Sequence, residues 1–144
     1  MKVLLDTSVL VAAVVQAHPM HGRALPWLAR ARRGEFQLFV ASHTLAEMYA
    51  VLTTLPVRPR ISPGTASRLV FENVARPARV VALTAADYRT TIMQLARGGF
   101  SGGIVYDALI ARAARKAHVD QLVTLNAEDF RRLWPEGVRE IAPP

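Results

Sequence analysis

The chain has no cysteine. Disulfides and thiolate-held metals are therefore excluded, and an intracellular, cytoplasmic setting is favoured. A metal would have to be held by oxygen or imidazole. Lysine is nearly as scarce, with Lys2 and Lys116 the only examples, so almost all of the positive charge is arginine. No uninterrupted apolar run is long enough to span a membrane, and Asp6 breaks the start that resembles a secretion signal. No membrane partner is expected. Residues 98–103 are rich in glycine but lack the Gly-Lys-Ser or Gly-Lys-Thr ending of a phosphate-binding loop, so nucleotide binding is not expected. Asp6-Thr7-Ser8 lacks the second acid of an Asp-x-Asp phosphohydrolase. Neither lysine closes an inner strand, as a phosphorelay receiver would require. Nothing repeats, and no linker divides the chain, so residues 1–144 read as one domain.

What is present points to a folded protein. Of the 144 residues, 51% are hydrophobic and 20% are charged, enough to build a proper core. The net charge is +7, from 18 Lys and Arg against 11 Asp and Glu. Arginine forms paired hydrogen bonds with phosphate, so a polyanionic partner fits this balance. Arginine richness from genomic base composition would look the same.

Strand and helix signals alternate along the chain. Val3-Leu4-Leu5 reads as a short strand buried on both faces. Residues 9–16 read as a buried helix ended by His18-Pro19, and residues 20–33 as a second helix, with Pro26 at its true start or at a kink. Leu25, Leu28, Ala29 and Arg32 are expected on one stripe of that helix. His18 and His21 could serve as ligands, although solvated loop histidines are the more ordinary reading. Residues 37–41 form a second strand candidate, with Ser42 as cap for a helix over 45–54. A proline-rich loop and a helix over 65–73 follow, then a strand over 79–83. Thr84-Ala85-Ala86-Asp87 fits a capping box opening a helix to about Arg97, which makes Asp87 structural. A helix over 104–118, a strand over 121–124, a short helix through Leu133 and an edge strand over 138–141 complete the chain. The expected fold is α/β: a single three-layer domain whose central, mostly parallel sheet of four to five strands is flanked by helices.

In such a sheet the strand carboxyl ends share one edge, where ligands bind. Asp6 ends the first strand, although it or its neighbours could simply cap the next helix. Glu47 follows the second strand among apolar neighbours, although Thr44 to Glu47 would also make a capping box. Asp107 shares a helical stripe with Ile110, Ala111 and Ala114, where a carboxylate is costly unless compensated, although a first-turn acid also favours the helix dipole. Asn126 follows the fourth strand and is a plausible cap. Three acids without good solvated-face explanations, in a basic protein, suggest a shared cation.

The sequence resembles the PIN-domain ribonucleases, and most closely the VapC toxins of toxin–antitoxin pairs. The matching pieces are Val3 to Ser8, Ser42 to Glu47, Tyr106 to Ala111, and Leu122 to Phe130, in family order over nearly the whole chain. The resemblance implies a PIN-like fold and an endoribonuclease that hydrolyses RNA with Mg²⁺ or Mn²⁺. Its catalytic carboxylates would be Asp6, Glu47 and Asp107, with Asn126 completing the metal site. The family often has aspartate at that fourth position, so Asn126 lowers the site's negative charge. Asp129 would either substitute for it or stabilise the short terminal helix. The Thr7 and Thr124 hydroxyls would support the carboxylates. The resemblance also implies a small antitoxin partner and a homodimer. The competing reading is a catalytically weak module of the same fold that binds RNA or protein.

Overall fold

The computed structural model describes residues 1–134 and 138–140. Five strands, β1 (Lys2–Leu5), β2 (Gln37–Ala41), β3 (Arg79–Val81), β4 (Gln121–Thr124) and β5 (Val138–Glu140), form one sheet in the order β3-β2-β1-β4-β5. Every pairing is parallel, with Leu4 opposite Phe39 on one side and Leu122 on the other. The β1 residues Val3, Leu4 and Leu5 have no exposed surface, as a central parallel strand covered on both faces requires. Of the expected edge strand, Ile141 lies outside the described residues.

Helices cover both faces. On one lie α1 (Thr7–Val14), α2 (His21–Arg32), α3 (Ser42–Thr54) and α4 (Pro63–Arg68), which continues as a π-helical turn over Leu69–Ala75. These elements bury Val3, Leu5, Leu38, Val40 and Val123. The other face carries Leu4, Phe39, Ala41 and Leu122, packed by α6 (Ile104–Lys116) and α7 (Ala127–Leu133). Alternate residues of one strand thus feed two separate cores. The remaining helix, α5 (Ala85–Arg97), packs against α6.

Several local readings change. The buried stripe of α2 is Ala24, Trp27 and Leu28, whereas Leu25 is 39% exposed. Trp27 takes the inward position and packs on Phe36, which turns Leu25 outward. Pro26 lies inside α2, with its ring exposed, and does not mark the start. Ser42 is already helical; Ala41 holds the cap position without a side-chain bond. The third strand is shorter than expected, because pairing with β2 ends at Val81.

The Thr84–Asp87 capping box is present. Asp87 does more than cap. Its carboxylate also accepts from Lys116 Nζ at 2.7 Å and Arg112 Nε at 3.2 Å, tying the start of α5 to α6. The Lys116 bond, then the Thr84 amide, hold its pKa far below the usual carboxylate range. A group depressed on folding stabilises above its unfolded pKa, and that contribution fades as pH falls below it. Asp87→Asn is therefore expected to lower the unfolding temperature at pH 7 by several degrees. The gap should narrow below about pH 4. Thermal melts across pH check this.

Candidate metal and hydrolysis site

The strand order runs β1-β2-β3 to one side of β1 and turns to β4 on the other. The sheet's switch point therefore lies between β1 and β4, where open α/β sheets leave a crevice at the strands' carboxyl ends. A cavity of about 320 Å³ opens there, lined by Asp6, Thr7, Ser8, Glu47, Asp107 and Asn126 among others. The three acids singled out in the sequence thus meet at one place, although they come from β1, α3 and α6.

Asp6 is buried, and all the hydrogen bonds it accepts are directional. Its Oδ1 accepts from Ser8 Oγ at 2.6 Å and from the Val9 amide at 3.1 Å. Its Oδ2 accepts from Thr124 Oγ1 at 2.7 Å. The Val9 bond is an N-cap, so capping and site membership hold together. Burial pushes the Asp6 pKa up, the three bonds pull it back, and the nearby Glu47 charge adds to the rise.

Glu47 does not sit in a capping box, because α3 begins at Ser42, five residues earlier. Its Oε1 instead accepts from Thr7 Oγ1 at 2.9 Å. The Thr44 hydroxyl lies 3.2 Å from that of Thr7. Thr7 has one hydroxyl hydrogen, and it goes to the carboxylate, so Thr44 donates to Thr7. His43 Nε2 is 3.6 Å from the same Glu47 oxygen.

Asp107 is half-buried in the first turn of α6, and among the described residues no group donates to its carboxylate. Burial first, then the charges of Asp6, Asp129 and Glu47, push its pKa up to about 6. Asn126 takes the N-cap position of α7 without a side-chain capping bond, leaving its amide exposed beside the acids. Its backbone amide donates to Thr124 Oγ1 at 3.0 Å, so that hydroxyl holds the β4 turn as well as Asp6.

Asp129 is placed differently. It lines a neighbouring cavity with Phe100 and Arg132, and lies 3.5 Å from Arg132 one helical turn later. It reaches the site through its charge on Asp107. The two histidines are not simply solvated. His18 lines the acidic cavity and accepts from the Met20 amide through Nδ1, and His21 Nδ1 donates to the Ala12 carbonyl.

Ser8 joins the site although it is not among the residues expected from the sequence. Its hydroxyl donates to Asp6 and accepts from the Leu125 amide at 3.2 Å, linking the ends of β1 and β4. A hydroxyl two residues after an N-cap acid is a recognisable local pattern, so the signal was present. Thr44 carried no such signal, because its partner is 37 residues away.

These donors are all oxygen, the set that suits Mg²⁺ or Mn²⁺. Unpaired Asp107, crowded by like charges, is the group a cation would relieve. Among the described residues, no three acidic or histidine side chains converge closely enough to chelate an ion as they stand. The set therefore fits a hydrated ion held directly through one or two carboxylates, the usual manner of Mg²⁺.

The PIN domain family matches residues 3–133. Ribonuclease VapC27 of Mycobacterium tuberculosis is 35% identical over 122 residues, covering 85% of this chain and 82% of that protein. Ribonuclease VapC40 of the same species is 34% identical over 112 residues, 78% of each chain. Among solved structures, Mycobacterium tuberculosis VapC20, a Sarcin-Ricin loop cleaving toxin, superposes with a TM-score of 0.75 at 19% identity, covering 98% of this chain and 99% of that one. VapBC2 from Rickettsia felis, bound to a DNA fragment from its promoter, superposes with a TM-score of 0.69 at 20% identity, covering 99% of this chain and 100% of the other. Among the described residues, no helix is long and apolar enough to cross a membrane.

Proposed function

The chain belongs to the PIN-domain family, as a VapC-type ribonuclease toxin, and from that premise we propose that it hydrolyses RNA phosphodiesters with Mg²⁺ or Mn²⁺ held at Asp6 and Asp107. The observation that carries the proposal is the meeting of Asp6, Glu47 and Asp107 in one cavity at the sheet's switch point. When bound, a divalent ion lowers the pKa of a coordinated water and neutralises charge on the phosphate. The chain's own residues would do the positioning. Three hydrogen bonds hold Asp6 in one orientation before any ligand arrives. Glu47, tied through Oε1 to Thr7, keeps Oε2 for binding the ion or orienting the attacking water. Asn126 supplies a neutral oxygen where a further carboxylate would add repulsion.

Arginine would hold the strand. Arg112, Arg115 and Arg132 line a second cavity, separate from the one that Asp107 lines. Arg112 is ion-paired with Asp87 and Arg132 with Asp129. Of these three, Arg115 has no ion-pair partner among the described residues, so within this cavity it is the one available to a phosphate. Arg115→Gln is expected to weaken RNA binding and to lower the salt dependence, log K against log salt, by about 0.7. Binding titrations over a salt series measure both.

A small antitoxin covering this site is the proposed regulator, because solved structures with this fold include toxin–antitoxin complexes. A homodimer is proposed through exposed apolar residues such as Tyr49 and Val51 of α3 and Tyr88 and Ile92 of α5. The deciding experiment is RNA cleavage by purified protein with Mg²⁺, with Mn²⁺ and with chelator. Cleavage that requires the metal supports the proposal; RNA bound but left intact under every condition would favour the binding module.

A further inference from the structure

We propose that Tyr106 and His43 form a nucleobase-binding shelf beside the acidic cavity, which seats a base of the RNA strand next to the cleaved phosphate. This rests on the ribonuclease reading above. The two rings are parallel within 3°, with centroids 5.1 Å apart. Their positions tie them to the site: Tyr106 immediately precedes Asp107, and His43 lies one helical turn before Glu47, with Nε2 3.6 Å from its carboxylate. The pair therefore bridges α3 and α6 where those helices bring two of the three acids together.

The layers are unequally exposed. The His43 side chain keeps 21% of its surface, whereas Tyr106 is 50% exposed. His43 is the backing and Tyr106 the open plate. A half-exposed aromatic ring, supported on one face by a second flat ring, is costly to leave in water and well formed to take a third. Among the described residues the buried His43 Nε2 has no hydrogen-bond partner, so the ring rests on its stack with Tyr106 and its longer contact with Glu47. Aromatic plates are how proteins hold unpaired bases, and they tolerate any base because each has a π-face. A strand whose phosphate lies among the acids must place a neighbouring base at their rim, where the shelf is. The site accordingly selects single-stranded or loop RNA, because a base inside a duplex presents no free face.

The test is a binding cycle that reads no cleavage. Wild type and Tyr106→Ala are titrated with a short fluorescent single-stranded RNA in chelator, and with versions carrying one abasic nucleotide at successive positions. Tyr106→Ala is expected to weaken binding of the intact strand about 10-fold. At one abasic position the variant and the wild type should bind alike. Tyr106→Phe should retain wild-type affinity, and Tyr106→Leu, which keeps apolar bulk without a flat face, should match Ala. Unchanged affinity in Tyr106→Ala, or an equal loss on every abasic strand, would overturn the shelf. So would a loss that follows a change in the protein's mass in solution, since Tyr106 would then seat another protein chain. A shelf that binds without any metal-dependent cleavage would sink the ribonuclease proposal and leave this one standing.

Discussion

Asp6→Asn is expected to leave the fold intact and to reduce RNA cleavage by about 10²-fold to 10³-fold or more. The choice of asparagine follows from the dual role of Asp6. Its Oδ1 caps α1 through the Val9 amide, and asparagine caps about as well as aspartate. The amide oxygen can still accept from Ser8 and Val9. The amide nitrogen then faces Thr124, whose hydroxyl already accepts from the Asn126 backbone and has capacity to accept again. What is lost is the negative charge, the property needed for holding a cation. Asp6→Ala is a poorer test. It removes the cap, at about 1 kcal/mol, and leaves the buried Thr124 hydroxyl and the half-buried Ser8 hydroxyl without their acceptor, so lost activity could reflect lost structure. Cleavage assays paired with thermal melts separate these outcomes. An Asp6→Asn protein that melts like wild type and still cuts RNA at full rate would remove Asp6 from the chemistry.

Asp107→Asn should move stability and activity in opposite directions. Asp107 is partly buried, accepts no hydrogen bond among the described residues and is repelled by Asp6, Asp129 and Glu47. Its pKa in the folded protein, about 6, exceeds that of an unfolded aspartate. The folded state therefore binds more protons than the unfolded one between roughly pH 4 and pH 6, and stability declines as pH rises through that window. Above it the charged carboxylate imposes its full penalty, no more than about 3 kcal/mol and reduced further by solvent screening. Asparagine removes the charge, so in chelator at pH 7.5 the variant should melt higher than wild type by up to several degrees. At about pH 4 the two should melt alike. Cleavage should fall as in Asp6→Asn. Added Mg²⁺ should raise the wild-type melting temperature more than the variant's, because the ion relieves the same repulsion. A variant less stable than wild type in chelator would mean that Asp107 is compensated in a way this geometry does not include.

Much of the fold was legible because its signals are local. The capping box at Thr84 and Asp87 was read and is present, since both of its hydrogen bonds span three residues. The strands over 37–41 and 121–124 were read at their observed bounds, because a short apolar run closed by a polar residue is a local feature. The α2 stripe departs from expectation for the converse reason. Leu25 and Trp27 are both apolar, and the choice of which faces inward was made by Phe36, outside the helix. The alternative reading of Glu47 as a capping-box acid does not hold, because α3 already starts at Ser42.

The alternation of buried strands with helices, the place of Asp6 at the end of the first strand and the lack of a solvated face for three acids can all be read from the chain alone. Those conclusions follow from the order of apolar and polar residues, which acts over one strand or one helical turn. Only the tertiary structure decided where the acids meet and what holds them. Thr124 reaches Asp6 across 118 positions and Thr7 reaches Glu47 across 40. Parallel pairing of β1 with β4 brings the first pair together and pairing of β1 with β2 the second, and no periodicity within a segment encodes which strand will lie beside which.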